Sequence, residues 1–182
     1  MTTYLIGCPH FGHEAMYRFT RANGEKVRPY ASADEGDTVI RENWNRTVSK
    51  GDKVYVMGDV AFNPKDLKIL EVLNGSKVLI KGNHDTLELS KYAKYFRDVR
   101  AYHKLDNEIL SHIPLHPVSL WRAKKNTSWL NIHAHLHAEE VMLSEGVTDL
   151  RYFSCCVERI GYTPISIDEI RNRVAALHKE TL

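Results

Sequence analysis

Short apolar segments alternate with helix signals through the first half of the chain, and this alternation is the feature that most constrains the fold. The apolar segments lie at residues 3–7, 54–57 and 78–80. An order of strand, helix, strand, helix and strand is typical of an α/β protein whose strands pair in parallel. The 182 residues are enough for one hydrophobic core, so we predict an α/β fold in a single domain, residues 1–182.

Residues that begin and end helices delimit three predicted helices, at 33–49, 64–74 and 167–179. Ser32 and Ser166 each precede a glutamate by three residues, which is the spacing of a capping box. Asn63 and Pro64 form the start signal of the middle helix, and Gly75 marks its end.

The second half of the chain is predicted to contain more strand than helix. Short apolar or alternating segments predict strands at 99–102, 108–110, 130–132 and 151–157. Residues 124–128 are polar and predict a loop.

Charge and cysteine content exclude several classes of protein. With 25 basic and 23 acidic residues, the formal net charge is +2, so no strong field directs the chain to nucleic acid or to a membrane. The three cysteines, Cys8, Cys155 and Cys156, are an odd number with one adjacent pair, which favours a reducing compartment over a disulfide framework. No apolar run approaches the roughly 18 residues of a membrane span, so we expect a cytoplasmic protein.

Histidine is concentrated in four short polar stretches, most of which follow predicted strands. Eight of the ten histidines lie there: His10, His13, His84, His112, His116, His133, His135 and His137. Ligands bind at the carboxyl ends of strands in open α/β sheets, and His, Asp, Asn and Cys are metal-ligating residue types. Alternate residues of an extended segment face the same way, so the segment 133–137 predicts a metal cluster; the competing interpretation is a polar surface hairpin.

Five short motifs occur in order along the chain. They are Cys8-Pro9-His10, Gly58-Asp59, Gly82-Asn83-His84-Asp85, Ser111-His112 and His133-Ala134-His135-Leu136-His137. Gly58-Asp59 alone is typical of any turn, and His112 alone is typical of a buried core histidine. Together, over about residues 4–170, the motifs resemble the calcineurin-like metallophosphoesterase superfamily. The segment from His10 to His13 is similar to the small bacterial and phage phosphoesterases of that superfamily.

This resemblance implies a fold, a cofactor and a set of site residues. The family fold is a four-layer α/β/β/α sandwich with two divalent metal ions at the strand ends, here Mn, Zn, Fe or Ni. The implied metal ligands are Cys8, His10 and His137 for the first ion, Asn83, His112 and His135 for the second, and Asp59 as a bridge between them. The resemblance further implies that His84 lies beside the substrate phosphate as a catalytic residue. His13 and Asn83 are the candidate substrate-binding residues.

Cys8 is the main departure from the family pattern, which has an aspartate ligand at this position. Three outcomes remain open: Cys8 ligates a softer metal such as Zn or Fe, it leaves the first site weak or empty, or it is a buried cysteine without a role in binding. Ala134 is a smaller departure, because the family has a glycine there and the change restricts the backbone.

The activity implied by the resemblance is hydrolysis of a phosphoester, with a phosphodiester favoured. Two cations would neutralise the phosphate and a metal-bound hydroxide would attack phosphorus, with Asp59 as the bridge and His84 assisting the leaving oxygen. The expected substrates are small or nucleotide phosphodiesters, including nucleic-acid ends. The alternative is a catalytically weakened scaffold or binding protein, because Cys8 replaces the family aspartate.

Four residues near the motifs have competing interpretations. Arg28 is predicted to form a surface salt bridge rather than to contact phosphate, and Glu158 is predicted to be structural. Asp85 either orients the ring of His84 or closes the turn that follows the strand. His13 either reaches the substrate phosphate or caps the helix that follows it.

Overall fold

Two large sheets and three α-helices form the computed structural model of the chain, which describes residues 1–21, 23–122 and 127–180. The strands are β1 (Thr3–Ile6), β2 (Lys53–Val56), β3 (Ser76–Ile80), β4 (Asp98–Arg100), β5 (Tyr102–Leu105), β6 (Glu108–Ser111), β7 (Trp121–Arg122), β8 (Thr127–Ser128), β9 (Leu130–His133), β10 (Met142–Ser144), β11 (Val147–Thr148), β12 (Tyr152–Ser154) and β13 (Ile165–Ser166). The α-helices are α1 (Ala33–Thr47), α2 (Leu89–Tyr92) and α3 (Ile167–Glu180), and 3₁₀ helices span Glu14–Tyr17, Asp66–Glu71 and Pro117–Leu120.

The first sheet confirms the predicted parallel pairing. Its strand order is β13-β1-β2-β3-β4, in which β1, β2, β3 and β4 are parallel and β13 pairs antiparallel to β1. Leu5 is opposite Tyr55, and Tyr55 is opposite Val78 on the next strand. Because these strands run the same way, the loops that follow β1, β2 and β3 emerge at one edge of the sheet.

The second sheet is mixed, with the strand order β12-β9-β6-β5. The hairpin β5-β6 is antiparallel, whereas β6, β9 and β12 are parallel. The strand predicted at 99–102 is wrong as a single element, because the chain changes sheets at Ala101: β4 pairs with β3, and β5 pairs with β6. The protein is therefore a mixed α/β structure with both parallel and antiparallel pairs.

The strand predicted at 151–157 is shorter in the structure and continues as a connection between the sheets. Only Tyr152–Ser154 pairs with β9. Beyond it, the Gly7 N–H donates to the Cys155 carbonyl at 2.7 Å, and the Val157 N–H donates to the Gly7 carbonyl at 3.0 Å. The end of β1 and the end of β12 are thus joined by backbone hydrogen bonds.

Two of the three predicted helices are confirmed. The Ser32 hydroxyl accepts the Glu35 N–H at the start of α1, and the Ser166 hydroxyl accepts the Glu169 N–H at the start of α3. No helix in the described part of the chain is both long enough and apolar enough to cross a membrane.

The α-helix predicted at 64–74 is wrong, because this segment forms the 3₁₀ helix Asp66–Glu71 instead. The buried residues Leu67, Leu70 and Leu73 recur every three residues, which is the period of a 3₁₀ helix and not of an α-helix. Of the loop predicted at 124–128, only the last two residues are described, and they form β8; the rest of that prediction lies outside the described residues.

Side chains of both sheets pack into one hydrophobic cluster. Leu5, Val56 and Leu79 contribute to this cluster from the first sheet, and Leu110 and Ile132 contribute from the second. A shared core of close-packed side chains fixes the relation between the two sheets. The loops at their ends are therefore held at defined distances from one another.

Gly7, at the end of β1, packs closely against the loop after β9. A Cβ atom on Gly7 would lie 2.5 Å from the Cβ of Ala134 and 3.2 Å from that of Met57. Ala134 is fully buried and is not among the residues with positive φ, so the departure from the family glycine causes no backbone strain at this residue.

We expect Gly7→Ala to lower the free energy of unfolding by about 1–3 kcal/mol, because the added methyl overpacks the contact with Ala134. The double variant Gly7→Ala/Ala134→Gly removes the clashing methyl and should recover part of this loss. Urea denaturation measures both values. Gly51→Ala is the matched control, since nothing lies within 4 Å of a Cβ there; equal losses at Gly7 and Gly51 would contradict the packing argument.

Candidate metal centre

Loops from both sheets bring the predicted site residues together. The residues, in the order of the strands they follow, are Cys8 and His10 after β1, Asp59 after β2, Asn83 and His84 after β3, His112 after β6, and His135 and His137 after β9. The structure therefore gathers residues that are far apart in the sequence. This gathering follows from parallel pairing, because β1, β2 and β3 end at one edge and so do β6 and β9.

The backbone of this site is in the left-handed region at five ligand positions. Of the seven non-glycine residues with positive φ in the described ranges, five are predicted ligands: Cys8, His10, Asp59, His135 and His137. Such a conformation costs roughly 1–3 kcal/mol for each residue and persists only where surrounding contacts impose it. Concentration of this strain at the predicted ligands is typical of a functional site.

The loops after β1 and β2 hold this conformation by hydrogen bonds to each other. The Cys8 N–H donates to the Gly58 carbonyl at 3.1 Å, and the His10 N–H donates to the Asp59 carbonyl at 3.0 Å. Gly58 itself has a φ of 82°, and a Cβ there would lie 2.5 Å from His112 Nδ1. The glycine of the Gly-Asp motif is therefore required by both its backbone conformation and its contact with a ligand.

The Asp59 carboxylate lies between histidines of the two predicted ligand sets. Its Oδ2 is 3.7 Å from His10 Nε2 and 3.3 Å from His112 Nε2, and its Oδ1 accepts the His84 N–H at 2.9 Å. Burial raises the pKa of Asp59, but the contacts with His112, the His84 N–H and His10 together outweigh it, and the net shift is downward. An ionised carboxylate in this position is suited to bridge two cations.

Two overlapping groups of metal-ligating atoms lie at the site. One consists of Cys8, His10 and His137, and the other of Cys8, Asp59 and His112; within each group the ligand atoms lie within 4.8 Å of one another. Cys8 belongs to both groups. The structure thus brings together five of the seven predicted metal ligands as candidate ligand groups.

His10 has the chemistry of an unprotonated ligand. It is buried, and both of its ring nitrogens lack a hydrogen-bond partner in the described structure. Burial lowers its pKa to about 3, against the opposing effect of Asp59, so the imidazole is neutral at physiological pH. Since buried polar groups are normally hydrogen-bonded, an unpartnered neutral imidazole fits a metal ligand.

His112 directs its Nε2 at two oxygens. Its Nδ1 lies 2.7 Å from the Met57 carbonyl, which only accepts, so Nδ1 carries a proton. Nε2 then faces Asn83 Oδ1 at 2.9 Å and Asp59 Oδ2 at 3.3 Å, an arrangement that needs either a second ring proton or a metal cation between these atoms. Burial lowers the pKa of His112, but the contact with Asp59 outweighs it and the net shift is upward.

Cys8 contributes a buried sulfur to the same cluster. Its Sγ accepts the His135 N–H at 3.2 Å. Burial raises the pKa of this thiol, and Cys156, Asp59 and Glu158 raise it further, so a nearby cation is what favours the thiolate. Among the three outcomes open from the sequence, this position within both ligand groups favours ligation.

Asn83 and His135 each contact His112. Asn83 is exposed, and its Oδ1 lies 2.9 Å from His112 Nε2. The ring of His135 meets that of His112 edge to face, with centroids 5.1 Å apart. The structure therefore places both residues next to a member of the second predicted ligand set.

Arg28 forms the predicted salt bridge, but its predicted location at the surface is wrong, because the side chain is completely buried. Its guanidinium donates to the carbonyl oxygens of Cys8 at 2.7 Å and Pro9 at 2.8 Å, and it pairs with Glu158 at 2.8 Å. Glu158 in turn contacts His137 Nδ1 at 3.2 Å. A single buried guanidinium thus supports two of the ligand loops, which the sequence did not indicate.

Asp85 closes the turn after β3 and ties it to the loop after β2. Its carboxylate accepts the N–H groups of Asp59 at 2.9 Å, Val60 at 2.9 Å and Gly82 at 2.8 Å. Of the two interpretations drawn from the sequence, the structure favours the turn, because these hydrogen bonds go to backbone rather than to the ring of His84.

Phe62 is a site residue that the sequence analysis missed. Its ring lies 4.3 Å from His13, 5.0 Å from His84 and 5.5 Å from His10, measured between centroids. His13 makes no side-chain capping hydrogen bond to the 3₁₀ helix that follows it, so its packing against Phe62 keeps it at the site. The only available signal for Phe62 was its position three residues after Asp59.

Comparisons with known proteins identify relatives without an assigned activity. No family model matches the chain. It is 30% identical over 172 residues to the uncharacterized protein MJ1445 of Methanocaldococcus jannaschii, covering 92% of this chain and 88% of that protein. The fold is similar to the crystal structure of AQ665, a protein of unknown function from Aquifex aeolicus, with a TM-score of 0.69 and 25% identity, over 94% of this chain and 98% of that one.

We expect Arg28→Met to lower the free energy of unfolding by about 3–5 kcal/mol, because it leaves the buried Glu158 carboxylate without a cationic partner. Arg173→Met is the matched control: it breaks the half-exposed pair of Arg173 with Glu169 and should cost less than about 1 kcal/mol. Urea denaturation of both variants measures the difference. Similar values for the two would show that Arg28 does not hold the loops as described.

Proposed function

We propose that this chain, which belongs to the same family as MJ1445 of Methanocaldococcus jannaschii, is a metal-dependent phosphoesterase that acts on phosphodiesters. The proposal includes the finer architecture, which is a four-layer α/β/β/α sandwich of the calcineurin-like metallophosphoesterase type. It also includes a location in the cytoplasm. The two sheets with a shared core are consistent with that sandwich.

The observation that carries the proposal is the position of Asp59 Oδ2 between His10 Nε2 and His112 Nε2, at 3.7 and 3.3 Å. One carboxylate that faces an imidazole from each of two ligand sets is suited to a dinuclear centre. Cys8, His10 and His137 would hold the first metal ion. Asn83, His112 and His135 would hold the second, with Asp59 shared by both.

Divalent cations bound there would neutralise the negative charge of the phosphate and lower the pKa of water in their coordination sphere. The protein residues orient the substrate. His84 is exposed beside the ligands, and its backbone N–H is fixed by Asp59, so its ring is free to hydrogen-bond the phosphoryl group or to protonate the leaving oxygen. His13, held by Phe62, is placed to contact the same phosphate.

Hydrolysis of bis-p-nitrophenyl phosphate tests the proposal. Reduced protein is stripped of metal and resupplied separately with Mn, Zn, Fe(II) or Ni, and release of p-nitrophenolate is followed. We expect turnover that depends on added metal. If no metal supports turnover in the wild type but the Cys8→Asp variant is active, a weakened scaffold or binding protein becomes the better description.

We expect His84→Ala to reduce turnover of this substrate by at least about 100-fold, because a general acid or phosphate-binding group contributes that much. Metal content, measured by inductively coupled plasma mass spectrometry, should not change. Unchanged turnover in His84→Ala would contradict the assigned role.

Asp59→Asn should remove at least one of the two metal ions and most of the turnover, because the amide loses the negative charge that faces both ligand sets. Asp106→Asn is a matched control, since Asp106 also has a positive φ, of 51°, but lies outside the site. Asn tolerates this backbone conformation in both variants. Full metal content in Asp59→Asn would contradict the bridging position.

Metal preference tests the role of Cys8. Because thiolate selects softer ions, we expect wild-type protein to take up Zn or Fe from an equimolar mixture, and Cys8→Asp to shift uptake towards Mn. Cys155→Ser is the control, because Cys155 is buried and its thiol donates to the His133 carbonyl, a hydrogen bond that serine retains. Identical metal preferences in wild type and Cys8→Asp would exclude Cys8 as a ligand.

A further inference from the structure

A cavity of about 550 Å³ opens beside the proposed second metal set, with Asn83 and His112 in its wall. Its volume is in the range that small-molecule ligands occupy in proteins. Most of the wall belongs to neither ligand set, so the proposed hydrolysis of a phosphate does not require it. The cavity is therefore a candidate for whatever is attached to the phosphate.

The hairpin β5-β6 builds one wall of the cavity. Tyr102 is opposite Ser111 and Lys104 is opposite Ile109, and all four residues line the space. Alternate residues of a strand share a face, which explains why residues 102 and 104 point the same way. Strand β6 leads directly into His112, so the wall continues into the candidate metal centre.

Apolar groups at the mouth of the cavity are exposed to solvent. Tyr102 is 57% exposed and Ile113 is 50% exposed. Within the described residues, no other ring packs against Tyr102, so one face of the ring is available to a planar ligand. Exposed apolar groups that flank a cavity at a polar site are typical of ligand binding.

The charged groups that line the cavity are cationic. Lys81 and Lys104 contribute ammonium groups, and no carboxylate lines the cavity among the described residues. Ser119 adds an exposed hydroxyl. A ligand that suits this wall has a flat apolar part, hydrogen-bonding groups and negative charge.

We infer that the cavity binds the nucleoside of a nucleotide phosphodiester, with the base against Tyr102 and the phosphate directed towards His112. This inference rests on the proposed phosphodiesterase function, since it assigns the group attached to the scissile phosphate. A nucleoside has the flat ring, the hydroxyl groups and the adjacent anionic charge that the wall requires. An alkyl chain offers no polar or anionic group to Lys81, Lys104 and Ser119, which are exposed to solvent at the cavity.

The test compares three substrates with one leaving group. They are the p-nitrophenyl esters of thymidine monophosphate, of hexyl phosphate and of methyl phosphate, assayed with the metal-loaded protein. We expect kcat/KM for the thymidine ester to exceed that for both others by on the order of tenfold, the size of one base–aromatic contact. Tyr102→Ala should reduce the ratio of thymidine to methyl ester by a similar factor, and Lys104→Ala should reduce it to a smaller extent.

Matched variants outside the cavity control for general effects. Phe19→Ala removes another exposed aromatic side chain, and Lys50→Ala removes another exposed cation; both should leave the ratio unchanged. A wild-type ratio near one would overturn the inference, as would an equal preference for the hexyl ester. Loss of all three activities in the same proportion in Tyr102→Ala would also overturn it, because the leaving group would then be the occupant.

Calorimetry separates failure of this inference from failure of the proposed function. Thymidine monophosphate is titrated into metal-loaded wild-type protein and Tyr102→Ala, with inorganic phosphate as the second probe. We expect the nucleotide to bind about tenfold more weakly to Tyr102→Ala, with phosphate binding unaffected. This result supports the nucleoside site even if no ester is hydrolysed, and in that case only the proposed function fails. Equal nucleotide binding by both proteins overturns the nucleoside site alone.

Discussion

The buried ion pair of Arg28 with Glu158 is the interaction on which the candidate metal centre depends. The guanidinium binds the carbonyl oxygens of Cys8 and Pro9, and the carboxylate contacts His137. The ion pair therefore fixes ligands on two loops, one from each of the two large sheets. Both members are nearly inaccessible to solvent, so neither can be lost without leaving a buried charge uncompensated. The same contacts help to hold the left-handed backbone at Cys8, His10 and His137, a conformation that persists only where surrounding contacts impose it.

The electrostatics of the site follow from where each donor atom is placed. His10 is neutral because it is buried, whereas His112 is driven towards protonation by the carboxylate of Asp59. Cys8 resists ionisation for the same reason that His10 does, since burial disfavours the charged form of each. A divalent cation at this site would bind the neutral imidazole of His10, replace the proton that Asp59 favours on His112 and stabilise the thiolate of Cys8.

Much of the site could be predicted from the sequence, because polar residues directly after parallel strands must meet at one edge of a sheet. Other features could not. Arg28 lies in a segment without regular periodicity, and its partner Glu158 is 130 residues away, so no local pattern indicates burial. Likewise, the change of sheet at Ala101 depends on which strand offers a free edge, and the cavity beside Tyr102 depends on that change. The 3₁₀ helix at Asp66–Glu71 could not be distinguished from an α-helix in the sequence, because Ile69 and Val72 interrupt the three-residue period that the buried Leu67, Leu70 and Leu73 show in the structure.

Anomalous X-ray diffraction from crystals of the zinc-loaded protein tests directly whether Asp59 lies between two metal ions, one of them bound by Cys8. We expect two anomalous peaks roughly 3.5–4 Å apart, both within bonding distance of Asp59 and one of them also bonded to the Cys8 sulfur. A single peak that contacts neither Asp59 nor Cys8, or no peak among these side chains, would contradict it.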